Sequence, residues 1–180
     1  MARRYRRPCP WELSPQPSVA EPRPVLIGAV LEFTRAARAC PAVKKIALIG
    51  SLATDKPIPK DADVVVTLAD GADLEDIARL GRRLKGQAQA INLGADIFLA
   101  DASGRYIGRV CGYRECFPRR LCEADHCGER QHLNDDLRNL TLADETIRDA
   151  AFELWPRVVR NAPAPPDLER LLLAELEKDT

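Results

Sequence analysis

Apolar positions along this chain recur first at helical spacing and then in short, nearly unbroken runs. Leu26, Val30, Phe33 and Ala37 predict an amphipathic helix over residues 25–39, ending near Cys40-Pro41. Residues 45–49 have the length of a strand, and residues 64–68 make a second one after a loop holding Pro57 and Pro59. Leu74, Ile77, Ala78, Gly81 and Leu84 then place one helix face against the sheet, leaving Arg79, Arg82, Arg83 and Lys85 to solvent. A third strand is expected over residues 95–100, and a fourth over 105–110 after the Asp101–Gly104 turn. Beyond Cys111 the regular pattern fails. It resumes with a helix predicted at 144–154 and a last one starting at Pro166, with Leu168, Leu171, Leu172 and Leu176 on one side.

This pattern divides the chain into a Pro/Arg-rich leader (1–24), an α/β core (25–110), a Cys/His-rich segment (111–140) and C-terminal helices (141–180). A length of 180 residues suits one domain with appendages. Lys and Arg equal Asp and Glu at 27 each, so no net charge draws the whole molecule to nucleic acid or membrane. No stretch approaches the ~18 consecutive apolar residues of a membrane span. The basic start runs into prolines rather than an apolar segment, so it does not read as a secretory signal, and a cytoplasmic location is expected. There the six cysteines stay reduced, and clustered ones point to metal rather than disulfides.

The candidate chemistry begins where the first strand ends, in Ile46-Ala-Leu-Ile-Gly50-Ser51, with Asp61-Ala-Asp63 following after nine intervening residues. Side chains two apart on a strand share a face, so Asp61 and Asp63 present two carboxylates side by side. Like charges that close repel unless a cation sits between them, and hard divalent ions such as Mg²⁺ prefer carboxylate oxygen. A polar turn is the plain alternative. Val64-Val65-Val66 follows at once, which makes Asp63 the opening of a buried strand. Asp96, between Ala95 and Ile97, is a second acid inside an apolar strand and asks for a partner.

Gly50-Ser51, Asp61-x-Asp63 and the later Asp96, each on an apolar strand, resemble in order and spacing the signature of the polymerase-β-like nucleotidyltransferase superfamily, especially its small members. The resemblance covers residues 25–99. It implies a short mixed sheet with helices packed on it. It also implies two Mg²⁺ ions held by Asp61, Asp63 and Asp96, a nucleoside triphosphate such as ATP as substrate, and Gly50 and Ser51 against the phosphates. Lys60, with Lys56, could add charge there, although solvated lysines are the plain alternative. Many small members carry Ala-Arg-Gly after the Gly-Ser, where this chain has Leu52-Ala-Thr-Asp-Lys56.

Cys111, Cys116, Cys122 and Cys127 are separated by four, five and four residues, with His126 and His132 close by. Four thiolates would close a tetrahedral structural zinc site, and either histidine could replace one cysteine. A metal would order a segment too poor in apolar residues to order itself. A loop of reduced cysteines is the alternative. The stretch His126-Cys127-Gly128 followed by Asp135-Asp136-Leu137 resembles an insert in some uncharacterised bacterial nucleotidyltransferase-like proteins. Asp135 and Asp136 themselves read as solvated or capping residues, with a place near the active site as the less favoured alternative.

Two functions follow. The first is transfer of a nucleoside monophosphate to a hydroxyl of an unidentified protein or RNA acceptor. The second is a non-catalytic zinc module on the same scaffold, binding nucleic acid through Arg105, Arg109, Arg114, Arg119, Arg120 and Arg130, or assembling with other proteins. Aromatics for base stacking are limited there to Tyr106, Tyr113 and Phe117. A second copy or a partner protein is expected on the leucine face of residues 168–176.

Overall fold

The structure, a computed structural model, describes residues 21–115, 124 and 130–179. Most of the expected leader, with Cys9, lies outside the described residues, as do Cys116, Phe117, Arg119, Arg120, Cys122, His126 and Cys127.

Helix α1 (Pro22–Ala37) opens with prolines in its first turn, where the missing N–H costs nothing. It buries Leu26, Ile27, Val30, Phe33 and Ala37. Strand β1 (Val43–Ile49) follows, then a 3₁₀ turn (Ser51–Ala53) and strand β2 (Asp61–Leu68). Helix α2 (Glu75–Gln89) carries the chain across to β3 (Gly94–Ala100), which lies parallel to β2, a pairing that requires such a crossover. Strand β4 (Tyr106–Val110) returns antiparallel, and β5 (Leu133–Asn134) extends that edge. The protein is therefore α/β, with one seven-stranded mixed sheet. Completing it are a short helix α3 (Asp144–Arg148) and strands β6 (Phe152–Trp155) and β7 (Val159–Arg160), in the spatial order β5-β4-β3-β2-β1-β6-β7.

Alternation along these strands sorts residues between two faces. Ala62, Val64, Val66, Ala95, Ile97 and Leu99 meet the helices in the main core, while Val65, Phe98 and Ala100 join a smaller cluster with Ile147 and Ala150 on the opposite face. At ~1.5–3 kcal/mol for each large aliphatic side chain buried, the helix side supplies most of the stabilisation. Gly81 lets α2 close on the sheet, since a Cβ there would lie 2.9 Å from Ile97 Cγ1.

Two expectations for the C-terminal segment need correction. The helix predicted at 144–154 stops at Arg148, because residues 152–155 form a strand on the open edge of β1. Phe152 and Leu154 alternate inward there, with Glu153 partly exposed and held by Lys45 at 3.4 Å. The last helical run does begin at Pro166, as α4 (Pro166–Leu168), a π-helical stretch (Glu169–Leu173) and α5 (Ala174–Glu177). Its leucine face is not a surface for a partner or second copy. Leu168, Leu172, Leu173 and Leu176 are buried in the main core beside α1, and Arg23 fastens the run at its start, 2.5 Å from Asp167. No helix among the described residues is long and apolar enough to cross a membrane.

Candidate functional site

The site forms where β1 ends and where β2 and β3 begin, on the sheet face away from α1 and α2. Asp61 and Asp63 are two apart on β2, and Asp96 on β3 stands directly beside Asp63 in the parallel register. The strands thus place three carboxylates on one patch, in an order the alternation of apolar residues already implied. Asp96 is less buried than expected, with a third of its side chain exposed.

Gly50 is the hinge of this arrangement. Its backbone angles, φ +72° and ψ −158°, fall in a region essentially reserved for glycine. A Cβ there would lie 2.2 Å from Asp63 Oδ2, so the absence of a side chain is what lets the Asp63 carboxylate lie against the turn. The Ser51 side chain has partners within the chain. Its hydroxyl donates to Asp61 Oδ1 at 3.3 Å and accepts from the Lys60 amide at 3.2 Å, which ties the Pro57/Pro59 loop to the start of β2. Lys56 and Lys60 are exposed, as their solvated reading has it.

Burial, followed by the charges of Asp61 and Asp96, pushes the Asp63 carboxyl up to about 7. Three acids crowd one face, and the middle one keeps its proton near neutrality. Cations approach from the far side. Lys85 reaches from α2 to within 3.6 Å of Asp96 Oδ1, so it is not the purely solvent-facing residue that helix periodicity suggested. Arg109 on β4 comes to 4.0 Å from Asp96 Oδ2.

Arg109 also forms a close ion pair with Asp136, which overturns the reading of Asp136 as solvated or capping. Asp136 is only 2% exposed. It lies just past β5, whose Asn134 pairs with Arg109 across the ladder. Around this pair, the Tyr106 hydroxyl, Arg109 Nε, Asn134 Oδ1 and Asp136 Oδ1 are buried with no hydrogen-bond partner among the described residues. Burial drives the Tyr106 phenol up to about 12; Arg109 opposes that rise, and Asp136 and Asp96 add to it. Leu140 and Leu142 pack against the apolar cluster on the same face. Arg109 and Lys85 are the members sequence reasoning missed, and for Asp136 it favoured the wrong alternative. The signal nearest to one was Gly108, because the bulge at Ile107–Gly108 turns Tyr106 and Arg109 to the carboxylate face while Ile107 and Val110 pack toward the helices.

Hard oxygen donors in this number suit a divalent cation, and the raised proton affinity of Asp63 marks the charge such an ion would balance. The three acids are nevertheless not drawn into one ligand shell. Among the described residues, no group of three or more His, Cys, Asp or Glu side chains is poised around a single point. Of the expected zinc ligands, Cys111 and His132 are brought together at the base of the β4–β5 hairpin. The buried Cys111 donates its amide to the His132 carbonyl at 2.8 Å, and the other candidates lie outside the described residues.

A cleft of about 630 Å³ opens on the other side of Gly50, between the Ser51–Ala53 turn, α3 and the segment 162–166. No protein-family model matches this chain, and no curated protein or solved structure matches it either.

Proposed function

We propose that this protein is a magnesium-dependent nucleotidyltransferase with a polymerase-β-like active site. It would move a nucleoside monophosphate from a nucleoside triphosphate to a hydroxyl of a protein or RNA acceptor. The observation that carries this reading is the register of β2 on β3, which sets Asp63 beside Asp96 with Asp61 on the same face and Gly50 pressed against Asp63.

Asp61, Asp63 and Asp96 are the residues that would hold Mg²⁺. Bound there, the two ions would supply charge to the entering and leaving oxygens of an in-line displacement at phosphorus. The acceptor oxygen bonds to the α-phosphorus as the bond to pyrophosphate breaks. Asp96, with a third of its side chain exposed, is suited to receive the acceptor's proton. Gly50 admits the phosphates close to the backbone, and Ser51 holds the loop that borders them. Arg109, fixed by Asp136, restrains Asp96 from behind.

The non-catalytic nucleic-acid reading has less support. Arg105 pairs with Asp101, Arg109 with Asp136, and Arg130 donates to the Ala72 carbonyl, so three of its six arginines are engaged within the chain. For the segment 111–132 we propose a structural zinc ion. It would be bound by Cys111 with Cys116, Cys122 and Cys127, or with His126 or His132 in place of one cysteine. Zinc content near one per chain by elemental analysis is the expected result, and a content near zero in chelator-free protein removes the proposal.

The test of the main reading is label transfer. Purified protein with Mg²⁺ and α-labelled triphosphates should label a macromolecule in cell extract, and Asp63→Asn should abolish it while leaving the fold intact. Absence of labelled product with every nucleotide, together with salt-sensitive RNA or DNA binding, would favour the zinc-module reading instead.

A further inference from the structure

We propose that the cleft beside Gly50 is the nucleobase pocket of this site, built for a base that carries an exocyclic amino group. The inference rests on the nucleotidyltransferase reading and extends it to the choice of substrate. The cleft shares Gly50 with the carboxylate patch, and Gly50 is the residue against which Asp63 lies. A ligand whose phosphates sit over Gly50 and Ser51 therefore has this cleft as its nearest volume. Asp96, Lys85 and Arg109 stand on the opposite side, where the acceptor would approach.

The size and chemistry of the cleft agree with that occupant. Its volume, about 630 Å³, falls within the ~300–1,000 Å³ of small-molecule sites. Ile49 and Ala150 floor it, and Ala53, Ala162 and Pro165 line its sides, which suits the faces of a flat, uncharged ring. Its lining among the described residues contains no Lys, Arg or His, so a second phosphate or a polyanion finds no counter-charge. Its polar side chains are the carboxylates of Asp55 and Asp149, with the hydroxyls of Thr146 and of Thr54, which donates to the Ser51 carbonyl. Carboxylates only accept hydrogen bonds, and they demand N–H donors from the ring edge. Adenine, guanine and cytosine each present an amino group. Uracil presents a single N–H flanked by two carbonyl oxygens, which carboxylates repel.

Equilibrium binding to the full chain in Mg²⁺ separates this proposal from the reading beneath it. The probes are ATP, GTP, CTP, UTP and inorganic tripolyphosphate. ATP, GTP and CTP should bind at least about tenfold more tightly than UTP or tripolyphosphate, a difference of one well-formed charge-assisted hydrogen bond. Ala162→Trp, or Ala164→Trp should the first variant fold poorly, fills the cleft and should weaken ATP about tenfold while leaving tripolyphosphate unchanged. Asp55→Asn combined with Asp149→Asn should remove the preference over UTP. Equal binding of all five probes, with no effect of either tryptophan, overturns the pocket but leaves the phosphate site standing. If no probe binds at all, the pocket and the nucleotidyltransferase reading fall together.

Discussion

The two faces of the sheet are made from the same strands and do opposite things. On β2, Ala62, Val64 and Val66 vanish into the core under α1 and α2, while Asp61 and Asp63, one residue out of phase, stand on the other face. β3 repeats the division with Ala95, Ile97 and Leu99 against Asp96. One face is dry and contributes most of the stability; the other adds a smaller apolar cluster and holds three acids that repel each other. Strand alternation thus lets a small protein carry a costly charged cluster, because its helix-side neighbours anchor the same backbone.

That contrast makes opposite predictions for residues one layer apart. Asp63→Asn should lower nucleotidyl transfer by about 10³-fold or more, the loss of several kcal/mol of charge stabilisation at phosphorus. Its melting temperature should be unchanged or higher, because a repulsive charge has gone. Leu99→Ala, fully buried on the helix face, should cost ~2–5 kcal/mol of stability by denaturant unfolding. Its activity per folded molecule should remain. If Leu99→Ala abolished transfer in protein shown to be folded, or if Asp63→Asn unfolded the chain, the separation of roles between the faces would be wrong.

Next in size is the Arg109–Asp136 pair, which belongs to the acidic face yet behaves as structure. Breaking a buried ion pair by removing one partner costs ~3–5 kcal/mol, and Arg109's partial exposure places Asp136→Asn near the low end, at about 3 kcal/mol. Freed from Asp136, Arg109 should turn to Asp96 and raise the Mg²⁺ concentration needed for half-maximal activity. Replacing both members with apolar residues should restore stability and also abolish the raised Mg²⁺ requirement, since no freed Arg109 remains to compete for Asp96. A double-mutant cycle in which the two losses simply add would show that the pair is not coupled.

Gly50→Ala should have a smaller effect on stability, ~1–3 kcal/mol, from strain in a glycine-only backbone region. It should also displace the Asp63 carboxylate, since the added methyl would occupy its position. The expected signature is therefore mixed, with a modest fall in melting temperature and a large fall in transfer. A variant as active as the wild type would show that the close contact between the turn and Asp63 does not matter to the site.

Much of the dry face was legible in the sequence, because unbroken apolar runs of strand length leave few alternatives. The carboxylate patch was legible for the same reason: acids inside such runs stand out. β6 was not. Ile147, Ala150, Ala151 and Leu154 satisfy helical spacing as well as Phe152 and Leu154 satisfy alternation, and what decides is the open edge of β1, which lies a hundred residues away in the chain. Asp136 was hidden for a related reason. Nothing near it signals burial, and its partner Arg109 reaches the right face only through the bulge beside Gly108. The leucines of the last helix could be read as buried, but not against what.

The smallest effect tests the acidic face most directly, because it asks whether Asp63, buried beside two other acids, holds its proton, without requiring any activity. With its folded value near 7 against an ordinary ~3.9, Asp63 in the folded protein keeps a proton that the unfolded chain has already released. The stability this contributes is fully present below about pH 4, declines as pH rises through 7, and is absent above. The measurement is the melting temperature of wild type minus that of Asp63→Asn, in chelator, from pH 4 to 8. The difference should fall across that window, since asparagine cannot titrate. Added Mg²⁺ must displace the retained proton to use the Asp63 oxygens, so its stabilisation of the wild type should be weak at pH 5 and should grow until about pH 7. A difference curve flat with pH would mean that Asp63 ionises normally, and that Asp61 and Asp96 are too far from it to act as one site.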